Sequence, residues 1–246
     1  MKQLFYAFSM CQSMFCAIPF PCHVWDDKAR GQMLIFLPVI GVEIGFLWAL
    51  FGWLSRFLGL SPVIMALGLT VIPYLLSGFI HLDGFMDVTD AIGSCRDLKK
   101  RREILKDSHV GSFAVIGIVL LMLSMMALFM AVKPETNLWS LVLIPAISRN
   151  LCGIAVLTLP KMSTSQYHDQ KIHWNQVVLM SLILGISLAL QFIFFGQLGL
   201  TGLACCVGAG LAVLKGYRSL NGMNGDISGY AITLGELAAV AVLALL

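Results

Sequence analysis

His81-Leu82-Asp83-Gly84-Phe85-Met86-Asp87-Val88-Thr89-Asp90-Ala91-Ile92-Gly93 closes a long apolar run with three aspartates. On a helix turning about 100° per residue, Asp83, Asp87 and Asp90 fall within roughly 60° of one another, on a single face. Three like charges repel, and beside hydrocarbon the stripe calls for something positive, most simply a divalent cation. The competing reading is a helix end standing in water.

Outward from this stretch, the chain reads as an all-α, polytopic integral membrane bundle. Of 246 residues, 59% are hydrophobic and 12% charged, with a mean hydropathy of +0.88, which is outside the range of soluble domains. Runs of about 20 apolar residues are long enough to cross the hydrocarbon, and without water to satisfy backbone groups they must be helical. About seven spans are expected, near 33–53, 61–80, 111–132, 138–159, 176–195, 198–214 and 229–246, with the second leading straight into the aspartates. The whole chain, 1–246, is read as one membrane-embedded domain, in which 33–246 form the bundle. Residues 1–32 form an interfacial or re-entrant segment, because Pro19 and Pro21 stop any helix there.

Placing the aspartates in the cytoplasm puts 13 of the 16 Lys and Arg residues on that side, with Arg56 and Lys133 outside and Arg149 within a span. The polar segments 22–32, 96–110, 160–175 and 215–228 then share that face, around a cytoplasm-facing cavity. The seven cysteines, odd in number and without a Cys-x-x-Cys pair, read as packing residues. A zinc site from Cys11, Cys16 and Cys22 fits no common ligand spacing. No nucleic-acid partner is expected; the lipid bilayer is.

Four constellations could carry chemistry. His81, Asp83, Asp87 and Asp90 offer mainly hard oxygen ligands, which suit magnesium held against substrate phosphates. Lys106, Asp107, Ser108 and His109 lead into Gly111 at a helix start, a place for an anion or simply a cap. Arg149 lies inside a span, where a guanidinium must pair with a carboxylate or a phosphate. Arg218 precedes Asn221-Gly222-Met223-Asn224-Gly225-Asp226, a turn whose glycines permit close backbone approach to a ligand. Glu43 and Glu236, both within spans, are either functional or hydrogen-bonded packing residues. His168 and His173 read as solvated.

These residues resemble the cobalamin synthase family, the adenosylcobinamide-GDP ribazoletransferases. Its G-x-x-H-L-D-G-x-x-D-x-x-D stretch is matched by Gly78, His81, Leu82, Asp83, Gly84, Asp87 and Asp90, and its K-D-S-R-x-G segment by Lys106, Asp107, Ser108 and Gly111. Ile18, Pro19 and Pro21 match an early I-P-x-P, and Gly225 and Asp226 a late T-G-D. His109 stands where arginine is usual, Asn224 where threonine is, and Asn221 where glycine is. The histidine removes a permanent charge and a bidentate phosphate donor. The resemblance implies transfer of adenosylcobinamide phosphate from its GDP conjugate to a ribose hydroxyl of α-ribazole or its 5′-phosphate, with release of GMP, in the bacterial cytoplasmic membrane. It implies Mg2+ held by Asp83 and Asp87, with Asp90 as a further ligand or, like His81, a proton acceptor. It further implies a catalytic role for Lys106 and substrate binding by Asp107, Ser108, His109, Gly111, Arg149, Arg218, Gly225 and Asp226. A homo-oligomer or a complex with other enzymes of the pathway is left open.

The competing functions are less well matched. A CDP-alcohol phosphotransferase should show D-G-x-x-A-R, where this chain has DGFMDV, and an aspartate-rich prenyltransferase needs two such clusters. A secondary transporter using Glu43, Arg149 and Glu236 as a relay should distribute polar residues through its spans and show an internal repeat.

Overall fold

The computed structural model describes residues 2–163, 165 and 173–246; His168 lies outside them. Helix α1 (Lys2–Phe15) and a single turn, α2 (Asp27–Arg30), precede α3 (Leu37–Phe57) and α4 (Pro62–Leu76). The aspartates lie on α5 (Ile80–Gly93), followed by the short basic α6 (Leu98–Ile104), α7 (Ser112–Ala131) and α8 (Ile144–Thr158). Helices α9 (Trp174–Phe195), α10 (Leu200–Leu220) and α11 (Gly225–Leu245) complete the bundle. Among the described residues the one β-type contact is an isolated bridge between Lys161 and Met223.

Prolines set several starts. Pro38, Pro62 and Pro145 stand in the first turns of α3, α4 and α8, where a missing N–H costs nothing. The apolar residues before two of them, Met33–Phe36 and Leu138–Leu143, wind as 3₁₀ turns. Pro73 sits inside α4 and frees the Leu69 carbonyl; the buried Trp48 indole N–H donates to that oxygen at 2.7 Å.

Five runs are long and apolar enough to cross a membrane, and up to six if α4 and α5 count as one broken span. The expected straight passage from the second span into the aspartates does not occur. Gly78 and Phe79 both take left-handed backbone (φ 61° and 62°), and α5 leaves α4 at 94°. The 47-residue run Trp174–Leu220 is folded back on itself at Gly196–Gly199: Gln191 Nε2 donates to Thr201 Oγ1 at 3.1 Å, and Gly202 packs beside Leu188. Large apolar side chains such as Leu120, Leu123, Leu182, Ile193 and Leu211 are exposed on the outer helices, as a lipid-facing surface requires.

Helix α1, at about 21 Å, is too short to span about 30 Å of hydrocarbon. It packs on the bundle, burying Ala7, Met10 and Cys11, and Gln12 Nε2 donates to Glu43 Oε2 at 2.9 Å. Opposite ends of the molecule are tied separately. Arg56 donates to the carbonyls of Lys133 and Thr136, and Lys133 Nζ to that of Leu246. At the other end the segment at 160–162 pairs with Met223, while Arg101 and Arg102 of α6 donate to the carbonyls of Ser219, Leu220 and Asn221 that close α10.

Candidate active site

The site is built where α5 crosses α11. A Cβ added at Gly84 would lie 2.8 Å from the Asp226 carbonyl oxygen, and one at Gly229 would lie 2.7 Å from that of His81, so glycine on each helix lets the backbones touch. This crossing sets Asp226, at the start of α11, beside Asp83, and Asp87 lies within the fields of Asp83, Asp226 and Asp90. None of these four carboxylates has an ion-pair partner among the described residues.

Asn224 shapes the α11 end of this group. Its Oδ1 accepts the Ile227 N–H at 3.0 Å as an N-cap, while its Nδ2 donates to Asp226 Oδ2 at 2.6 Å. The threonine-to-asparagine departure thus keeps a capping oxygen and adds a clamp on the aspartate. Asn221 is likewise accounted for: it ends α10 in left-handed backbone (φ 51°), where asparagine is the best substitute for glycine.

Asp90 diverges from the other carboxylates. Its carboxylate fills the space that a Cβ on Gly111 would occupy, 2.0 Å from Oδ2, and its Oδ1 accepts the Ala114 N–H at 3.4 Å. It therefore caps α7, the task that sequence offered to Asp107 or Ser108. Asp107 instead accepts from His109, whose Nδ1 lies 2.7 Å from Oδ1 and whose backbone N–H donates to the same oxygen at 3.0 Å. This contact holds the Asp107 carboxyl below its ordinary range. Asp107, Ser108 and His109 are exposed together on the loop before α7.

His81 turns the other way. It is 5% exposed, its ring stacks on Phe15 of α1 at 6.1 Å and 13°, and its Nε2 is buried without a hydrogen-bond partner among the described residues. It contributes to the wall of a cavity of about 170 Å³ that also involves Phe15, Asp83, Val156, Asp226 and Ser228. Gly225 borders the same cavity, with open space where a side chain would project. Lys106 lines a separate crevice with Arg102, Leu105, Met162 and Ser163, and Arg218 is exposed in the last turn of α10.

Arg149, expected among the phosphate contacts, is paired inside the bundle. It is 1% exposed, and its Nη1 donates to Glu236 Oε1 at 2.7 Å and to the Pro145 carbonyl at 3.2 Å; Ser148 donates to the same Glu236 oxygen at 3.0 Å. A cation buried at this depth needs a charged partner, and Glu236 of the neighbouring helix supplies it. The sequence carried the signal, one cation and two acids within spans, but not the partner. Also missed were Phe15, Asn224 as clamp, and the docking of Arg101 and Arg102.

The donor set suits a hard cation: carboxylate oxygens from two helices, uncompensated by Lys or Arg among the described residues. Among the described residues no three His, Cys, Asp or Glu side chains already stand together as a complete metal cage. Magnesium sites that draw on one or two carboxylates and take their remaining ligands from phosphate and water look like this before substrate arrives.

The cobalamin-5-phosphate synthase family model (CobS) matches residues 7–244. An adenosylcobinamide-GDP ribazoletransferase of Clostridium perfringens strain SM101 is 36% identical over 251 residues, covering the whole of both chains. The protein of that name from Clostridium botulinum strain Alaska E43 is 35% identical over 96% of each chain. The one from Geobacillus thermodenitrificans is 31% identical over 96% of this chain and 94% of its own. No solved structure matches. With the family model matched over nearly the full chain and relatives of that name 31–36% identical over 94% or more of both chains, this protein belongs to the cobalamin-5-phosphate synthase family.

Proposed function

We propose that this enzyme joins the two halves of cobalamin in the nucleotide-loop assembly step. Adenosylcobinamide phosphate passes from adenosylcobinamide-GDP to a ribose hydroxyl of α-ribazole or its 5′-phosphate. The hydroxyl oxygen bonds to the corrinoid-side phosphorus, the bond from that phosphorus to the bridging oxygen breaks, and GMP leaves. The observation that carries this reading is the group of carboxylates without ion-pair partners among the described residues, contributed by α5 and α11 beside a cavity.

Asp83 and Asp87 would hold Mg2+, which when bound neutralises charge on a pyrophosphate. Asp226 is the best placed proton acceptor: it lines the cavity, one oxygen is fixed by Asn224, and the other is left for the attacking hydroxyl. Asp90 and His81 are less suited, the first being engaged at the start of α7 and the second stacked on Phe15. Lys106 and Arg218, exposed at the same end of the bundle, would draw in the anionic donor. The concentration of Lys and Arg at that end supports a cytoplasmic orientation in a bacterial inner membrane.

The test mixes purified protein, Mg2+, adenosylcobinamide-GDP and α-ribazole 5′-phosphate and follows GMP release and the mass of the joined corrinoid. Product is expected with the natural protein and not with folded Asp83→Asn or Asp87→Asn. Wild-type turnover by either variant would refute the metal assignment, and uptake into proteoliposomes without a covalent product would favour a transporter.

A further inference from the structure

The cavity beside the carboxylates has a chemistry of its own. Most of its wall is apolar, from Phe15, Leu34, Leu37, Val156 and Ile232, while Asp83, Asp226 and Ser228 supply the polar part. An apolar protein cavity of about 150 Å³ is known to hold a benzene ring. One of about 170 Å³ accommodates a comparable aromatic ring, with further rings toward its opening, and is far too small for a corrin macrocycle.

Resting on the reaction proposed above, we infer that this cavity is the acceptor subsite and takes the benzimidazole base of α-ribazole. The two substrates offer two aromatic bases. Guanine carries an amino group, a carbonyl and ring N–H groups along its edges, and burying these against aliphatic carbon without partners is costly. Dimethylbenzimidazole has a hydrocarbon edge and a single unsubstituted ring nitrogen. The hydrocarbon edge suits Val156, Leu37 and Ile232, and the single free ring nitrogen leaves only one polar atom of the base to be satisfied. The flat wall formed by the Phe15–His81 stack suits a planar base. The attached ribose then extends toward Asp226 and Asp83, where its hydroxyl is to be deprotonated. The corrinoid and GDP remain on the open side of the carboxylates.

Two measurements test this. Val156 is 4% exposed on the cavity wall, so Val156→Phe projects a ring into the space. The expected result is a KM for α-ribazole raised about tenfold or more, with kcat and the KM for adenosylcobinamide-GDP within about threefold of wild type. A rise confined to the KM of the donor overturns the assignment. Because an overpacked variant can fail to fold, the second measurement uses the unaltered protein: photolabelling with an azido-substituted benzimidazole riboside, competed by 5,6-dimethylbenzimidazole. Competed label on α8 near 152–156 or on α11 near 228–232 supports the subsite. Label elsewhere, or none that competitor removes, overturns it. If the wild-type protein joins no substrates at all, the reaction reading fails, while the labelling pattern still decides what this cavity holds.

Discussion

Removing one member of the Arg149–Glu236 pair should cost far more than removing both. In Glu236→Gln the guanidinium stays buried with its strongest acceptor neutralised, leaving the Pro145 carbonyl and an amide in place of a carboxylate. Breaking a buried pair from one side costs about 3–5 kcal/mol, most of it the penalty of the uncompensated charge. For a chain of this size each kcal/mol lowers Tm by about 2–4 °C, so the variant should melt roughly 6–20 °C below wild type in one detergent at one scan rate. Arg149→Met combined with Glu236→Met removes both charges and fills similar volume, and should return to within about 2 kcal/mol of wild type. The double variant also separates structure from substrate binding, because Arg149 and Glu236 are absent from the cavity wall. Turnover should persist within about tenfold, whereas a lost transition-state charge contact on a phosphate costs about 10²–10³. A well-folded double variant without activity would return Arg149 to the phosphate-binding role first read from sequence, and an unaltered melting point for Glu236→Gln would refute the pairing.

The remaining predictions concern the crossing and its loops. Gly84→Val or Gly229→Val should prise α5 from α11, destabilise the protein by about 1–3 kcal/mol in thermal melts, and lower kcat by displacing Asp226 from Asp83. Asp226→Asn should lower kcat by about 10²–10⁴ and leave Mn2+ affinity, read by electron paramagnetic resonance, nearly intact; a matching loss of metal affinity would make it a ligand instead. Asn221→Gly relieves left-handed backbone and should leave stability unchanged or raise it by up to about 1 kcal/mol, while Asn221→Ala lowers it. Gly111→Ala forces Asp90 out of its notch, so α7 should lose its cap and fray, visible as faster amide exchange at Ala114.

Apolar run length makes the membrane bundle legible because spanning is a matter of hydrophobic span, and the aspartate stripe was visible because helical periodicity is local. The partners were not legible. Arg149 and Glu236 lie 87 positions apart, and mid-span charges declare that a partner exists without saying which one. Asp90 shared the stripe by spacing, yet Gly111 at the start of another helix opens a notch that its carboxylate fills. The break after α4 was hidden for a different reason: Pro73 lies in the interior of a run whose composition reads as continuous, and Phe79 is not a residue that announces left-handed backbone.

That break is also what makes the site. A straight helix from Pro62 to Gly93 would be about 48 Å long, well beyond the hydrocarbon, and would carry Asp83, Asp87 and Asp90 away from the bundle along its axis. The 94° bend instead turns α5 away from the line of α4. There Gly84 and Gly229 bring it against α11, and α1 reaches back so that the Ala17 N–H meets the Leu76 carbonyl at 2.7 Å and Phe15 covers His81. The carboxylates are therefore positioned by two helix backbones, and His81 beside them is covered by a third. That arrangement keeps repelling charges together without an ion-pair partner among the described residues, and it leaves beside them a space whose wall is mostly hydrocarbon. An enzyme that must bring a polar diphosphate and a nearly apolar aromatic base to one phosphorus atom needs both environments within a few ångströms, and the bend at Gly78–Phe79 is what places them there.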